Sequence, residues 1–135
     1  LHAHTMNASN HPHKHRRGLA RLRYAFVYSL QGLLAGVRTS PAFRLELALA
    51  GFGFVLAFLL GRNWLEVVFL LAVLVLVLIV EMLNCGIEAA IDRVGFEIHP
   101  LSQLAKDYGS AAVFLSLVLC AGVWLSLLCV RLVAY

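Results

Sequence analysis

Four hydrophobic patterns follow one another along the chain. Over residues 17–39, Leu19, Leu22, Phe26, Leu30, Leu33 and Val37 recur at three- and four-residue steps, one face of a 3.6-residue period. Arg21, Tyr24, Tyr28, Gln31 and Arg38 fall on other faces. The pattern predicts an amphipathic helix that is long enough to cross a bilayer, but its basic residues place it in the membrane interface, apolar face down. Ser40-Pro41 restarts a helix, Ser as N-cap and Pro at the first helical position. No charge occurs from Leu47 to Gly61, so residues 41–60 reach the length of about 20 that a span requires. Gly61-Arg62-Asn63 reads as a tight turn, and Asn63 with Glu66 three residues on resembles a capping box.

The next helix covers residues 64–94, broken by neither Pro nor any Gly except Gly86. At 1.5 Å per residue it measures about 46 Å, longer than a hydrocarbon core of ~30 Å. Val67–Val80 is wholly apolar, whereas the second half carries Glu81, Asn84, Glu88 and Asp92. That end must project from the membrane. Gly95 and Pro100 break the chain, and a last helix, residues 102–131, starts near Ser102 and is uncharged from Tyr108 to Val130. The expected fold is all-α: a surface helix followed by three transmembrane helices.

Composition agrees. Of 135 residues, 61% are hydrophobic and 13% charged, against about 45–50% and 25% in soluble domains. That excludes an ordinary soluble fold and intrinsic disorder. Three cysteines, two of them in apolar runs, point to free thiols. All acids lie at or after Glu46, while seven of eleven Lys/Arg lie at or before Arg44. With spans following, this basic front suits a membrane surface and not nucleic acid. The basic N-terminal segment and the Arg93–Lys106 loop share one side; by the positive-inside rule that side and the N-terminus are cytoplasmic, with the C-terminus outside. Residues 1–16, which hold five of six histidines, are set aside as a disordered leader or tag remnant, Met6 being a candidate start. Residues 17–135 then form a single membrane domain.

The candidate chemistry lies on the second span. Offsets of 0, 3, 7 and 11 put Glu81, Asn84, Glu88 and Asp92 within about ±60° on one helix face. If Trp64 marks the outer interface, Glu81 lies about 26 Å along, near the inner interface, and Asp92 about 16 Å beyond it. An ionisable group within a span costs ~2.5–3.5 kcal/mol even on the mildest scales. Glu81 therefore serves either a hydrogen bond between packed helices or a reaction. Glu88 and Asp92 are either a solvated helix end paired with Arg93 or Lys106, or part of a site. Glu97, His99, Lys106 and Asp107 follow closely, and carboxylates, an amide and a Lys at a membrane surface suit a metal-nucleotide site, since Mg²⁺ takes carboxylate and phosphate oxygens together. No P-loop motif is present.

Residues 81–113, EMLNCGIEAAIDRVGFEIHPLSQLAKDYGSAAV, resemble the signature of the small bacterial lipid kinases, the diacylglycerol and undecaprenol kinase family: ExxNxxIExxxD, a loop with E-x-H, then AKD heading the last helix. Arg21, Tyr28-Ser29, Gly32-Leu33, Ala42-Phe43-Arg44 and Glu46 also fit. The resemblance implies a homotrimer in the bacterial cytoplasmic membrane that moves the ATP γ-phosphate to a lipid hydroxyl. It implies Glu81 as general base, Asn84 as a residue activity depends on, and Glu88 as ligand of the nucleotide's Mg²⁺. It assigns Arg21, Tyr28, Glu97, His99, Lys106 and Asp107, besides Glu88, to ATP. Ala42, Phe43, Arg44, Leu45, Glu46 and Ser110, with Glu81, fall at positions lining the lipid site. GSAAV after AKD, and AFR-x-E, favour diacylglycerol over undecaprenol.

The chain departs from that pattern at Ser40, where the family carries a metal-binding Glu, and at Phe26 and Val37, where the diacylglycerol branch has Ala and Trp. Ser40 is at most a weak neutral ligand, and as an N-cap it is fully explained. A reading from another class is a small oligomeric channel or transporter with Glu81 as its intramembrane carboxylate. Such a protein should carry ionisable groups near the midplane of several spans, and the first and third spans carry none there.

Overall fold

The computed structural model describes residues 18–95 and 99–133. Among them are four helices, α1 (Leu19–Thr39), α2 (Pro41–Leu60), α3 (Trp64–Val94) and α4 (Pro100–Val133). The predicted leader and Glu97 lie outside the described residues. The chain divides into two units, one ending at Gly32 and the other beginning at Leu33.

The first unit is the N-terminal part of α1. Gly18, at φ 67°, takes the left-handed conformation that favours glycine, and its carbonyl accepts from the amides of Arg21 and Leu22. Leu19, Leu22, Phe26 and Leu30 form the apolar row that the period predicts, and all are exposed. The rings of Tyr24 and Tyr28, one turn apart, lie 6.4 Å centre to centre.

The second unit is built on α3, which packs along α2 and along α4. All three are long and apolar enough to cross a membrane. Local signals set their ends. Ser40 is extended and its Oγ accepts from the amide of Phe43, with Pro41 at the first helical position. Asn63 Oδ1 accepts from the amide of Glu66 at 2.9 Å. The expected capping box is modified, because the Glu66 carboxylate reaches back to the amide of Arg62 instead of that of Asn63. The same oxygen receives Arg131 Nη2, which also donates to the carbonyl of Leu60 at 2.9 Å. One guanidinium thus ties the end of α2, the start of α3 and the end of α4. The last helix begins two residues earlier than expected, at Pro100, since the His99 carbonyl accepts from the amide of Gln103 and its ring Nδ1 from that of Leu101.

The core is a narrow seam. Phe43, Ala57, Val67, Leu70, Val73 and Val77 are buried, and Leu71, Val123, Trp124 and Leu127 pack on the Ala57–Val67–Leu70 cluster. Gly53 lets α2 come close to α3, since a Cβ there would stand 2.8 Å from Leu74 Cδ1. Most other apolar side chains of the three helices are exposed. That suits helices whose solvent is lipid, where no hydrophobic drive packs one against the next. The cysteines are free thiols, as expected.

Candidate active site

Packing against α2 and α4 grades the polar stripe of α3. Glu81 is 3% exposed and Asn84 9%, while Glu88 and Asp92 are exposed. Seven residues separate Glu81 from Glu88, about 10 Å along the axis, so the stripe passes from a closed seam to open surface within two turns.

Glu81 is held from two helices. Ser40 Oγ, at the head of α2, donates to its Oε1 at 3.2 Å, and the thiol of Cys85, one turn along α3, donates to the same oxygen at 3.6 Å. The hydrogen bond between packed helices foreseen for Glu81 therefore exists, and its partner is Ser40. Asn84 forms the second contact, donating from Nδ2 to Glu88 Oε1 at 3.3 Å. Its Oδ1 is buried without a hydrogen bond and faces Gly109 of α4, where a Cβ would collide with it. In the third contact Lys106 Nζ of α4 pairs with Asp92 Oδ1 at 2.7 Å. Both side chains are about half exposed, 42% and 57%, so this bridge adds little stability and keeps the ammonium near the stripe.

Arg44 Nη1 donates to the carbonyls of Val37 and Arg38, closing the last turn of α1. Phe43 is 1% exposed and belongs to the core; Ala42 and Leu45 are exposed, and Glu46 is half-buried with one carboxylate oxygen buried and unpaired. His99 caps α4, and Asp107 and Ser110 are exposed on its first turns. Arg21 and Tyr28 lie on α1 in the first unit, both exposed. Three separate contacts are thus assembled by the second unit: Ser40–Glu81–Cys85, Gly109–Asn84–Glu88, and Asp92–Lys106. Sequence reasoning missed Cys85 as a donor and treated Ser40 only as a cap and weak ligand.

Among the described residues, no three His, Cys, Asp or Glu side chains gather to hold a metal by themselves. Mg²⁺ rarely needs such a cage; it is usually held by one or two carboxylates together with substrate phosphates. Exposed Glu88, oriented by Asn84, fits that donor set. The Ser40 hydroxyl is engaged with Glu81 and with the amide of Phe43.

A three-span helical membrane protein with a carboxylate sealed at one end of its central span, and further acids and a lysine leading away from it, is the class that this fold and site define. Residues 27–128 match the prokaryotic diacylglycerol kinase family. A diacylglycerol kinase of Pseudomonas aeruginosa is 45% identical over 117 residues, covering 87% of this chain and 95% of that protein. One from Haemophilus influenzae is 41% identical over 107 residues (79% and 91%), and one from Escherichia coli 40% over 111 (82% and 91%). The chain belongs to the prokaryotic diacylglycerol kinase family.

Proposed function

We propose that this protein transfers the γ-phosphate of ATP to the hydroxyl of diacylglycerol, giving phosphatidic acid. The observation that carries the reading is the Glu81 carboxylate, sealed between α2 and α3 where the apolar run of α3 ends. By helix length, that end of the span falls at headgroup depth, where a lipid hydroxyl meets the aqueous phase. The lipid oxygen attacks the γ-phosphorus, its proton passes to Glu81, and the bond to the β–γ bridging oxygen breaks, releasing ADP. Such a transfer depends on positioning and charge neutralisation, not on covalent catalysis. Mg²⁺, when bound with the nucleotide, neutralises phosphate charge; Glu88, steadied by Asn84, would hold it. Lys106, His99, Asp107, Glu97, Arg21 and Tyr28 are assigned to the nucleotide on the family resemblance, and Ala42–Glu46 and Ser110 to the lipid.

Transfer of labelled phosphate from ATP to a panel of membrane alcohols tests this. Diacylglycerol is expected to be the best acceptor. A clear preference for undecaprenol would move the protein to the other branch of the family, and no transfer to any lipid would overturn the kinase reading.

The exposed helix faces argue for a symmetric homo-oligomer, which the family resemblance makes a trimer in the cytoplasmic membrane; charge distribution favours α1 in the interface and a cytoplasmic N-terminus. Almost none of the apolar length of α4 is buried within the chain, and the acids of α3 gain a wall only from neighbouring helices. Light scattering of the detergent-solubilised protein should give a trimer; a fully active monomer would refute it.

A further inference from the structure

We propose that Ser40 is a positioning residue for Glu81: its hydroxyl, anchored by the start of α2, fixes one carboxylate oxygen and leaves the other to take the lipid proton. The proposal rests on Glu81 being the base. Ser40 is extended, at φ −103° and ψ 113°, and its Oγ accepts from the amide of Phe43 at 3.0 Å. Pro41 fixes the first helical φ, and Phe43 is locked in the core at 1% exposure. The hydroxyl oxygen is therefore immobilised by the helix it caps.

A serine hydroxyl has one proton and two acceptor sites. With the amide of Phe43 on the acceptor side, the proton is directed away from α2, and it goes to Glu81 Oε1 at 3.2 Å. The thiol of Cys85 adds a second, weaker donation to that same oxygen. Among the described residues, the hydrogen bonds that Glu81 accepts from side chains both end on Oε1. Two donors from two helices on one oxygen stop the carboxylate from rotating about its terminal torsion, which is otherwise broad. A base held within a few tenths of an ångström of its working geometry is what transfer to a positioned hydroxyl requires. Ser40 thus acts through Glu81.

Because Ser40 is also a cap, the test separates the two roles. Ser40→Gly removes the donor, and glycine is a nearly equivalent N-cap. Ser40→Thr keeps both donor and cap. Steady-state phosphate transfer is measured for both, with thermal melts of the same preparations. The expected result for Ser40→Gly is a kcat about tenfold lower, the size of losing one hydrogen bond to a charged group, with KM for ATP and Tm little changed. Ser40→Thr should restore kcat to within about twofold. Cys85→Ala leaves the cap intact and probes the same oxygen from α3; a loss of about threefold is expected from the weaker donor.

Wild-type kcat in Ser40→Gly, equal losses in Ser40→Gly and Ser40→Thr, or a loss carried by KM alone would overturn the proposal. Glu81→Gln run alongside keeps the two assignments apart. If it is inactive while Ser40→Gly turns over normally, the base assignment stands and the positioning role fails. If Glu81→Gln turns over normally, the base assignment itself has failed. On the Glu81→Gln background, Ser40→Gly should lower kcat no further, because the group it positions is gone.

Discussion

Glu81→Gln is expected to lower kcat for phosphate transfer by ~10²-fold or more, the usual range for removing a general base. KM for ATP should change little, because the nucleotide is assigned to groups other than Glu81. The substitution is close to isosteric. A glutamine carbonyl can still accept from Ser40 Oγ and Cys85 Sγ as Oε1 does now, but the amide offers no basic oxygen for the lipid proton. Stability should not suffer either. A carboxylate 3% exposed at the end of an apolar run pays for desolvation that a neutral amide largely avoids. The melting temperature of Glu81→Gln should therefore equal or exceed that of the parent. Transfer assays beside thermal melts check both arms: near-normal turnover would sink the assignment of the base, and lost turnover with a collapsed fold would show that the carboxylate is structural.

The helices were legible because their signals are local. Charge-free runs marked the spans, Ser40-Pro41 and Asn63-x-x-Glu66 marked two starts, and α1, α2 and α3 end where period and turn residues said they would. Pro100 misled, because proline was read as a breaker when it stands at the first position of α4. The His99 ring, which supplies the cap, is not a usual N-cap residue and gives no signal from sequence alone. The modified cap at Asn63 was equally hidden, since Arg131, 65 residues away, shares the Glu66 carboxylate.

At the site, spacing put Glu81, Asn84, Glu88 and Asp92 on one face, and Lys106 was one of two partners named for the exposed acids. What spacing could not supply was the depth of each group. Burial of Glu81 and Asn84, and exposure of Glu88 and Asp92, depend on where α2 and α4 end against α3. The Ser40–Glu81 bond joins residues 41 positions apart and depends on helix register, which no local pattern encodes. The two readings open for Glu81 do not exclude each other. A hydrogen bond between helices is how a buried base would be kept in place.

Gly109→Ala is expected to damage activity without damaging the fold. Alanine is favoured over glycine in a helix interior by about 1 kcal/mol, so substitution within α4 should hold or raise the melting temperature. Yet a Cβ at 109 would overlap Asn84 Oδ1. The atom in the way ends a flexible side chain, so the amide turns aside and the helices keep their spacing. That turn pulls Nδ2 away from Glu88 Oε1, ending the 3.3 Å bond that orients the carboxylate. If Glu88 holds the ion that travels with ATP, the Mg²⁺ needed for half-maximal transfer should rise about tenfold, the scale of one hydrogen bond to a charged group. A Mg²⁺ titration at fixed ATP measures the shift. Asn84→Ala should produce a shift of similar size, and adding Gly109→Ala to it should do little more, since the clash has lost its target. An unchanged midpoint in Gly109→Ala, with Asn84→Ala strongly impaired, would mean that Asn84 acts through some other contact than Glu88. A midpoint raised in Gly109→Ala but raised much further in the double variant would place the effect in α4 itself and not in the Asn84 side chain.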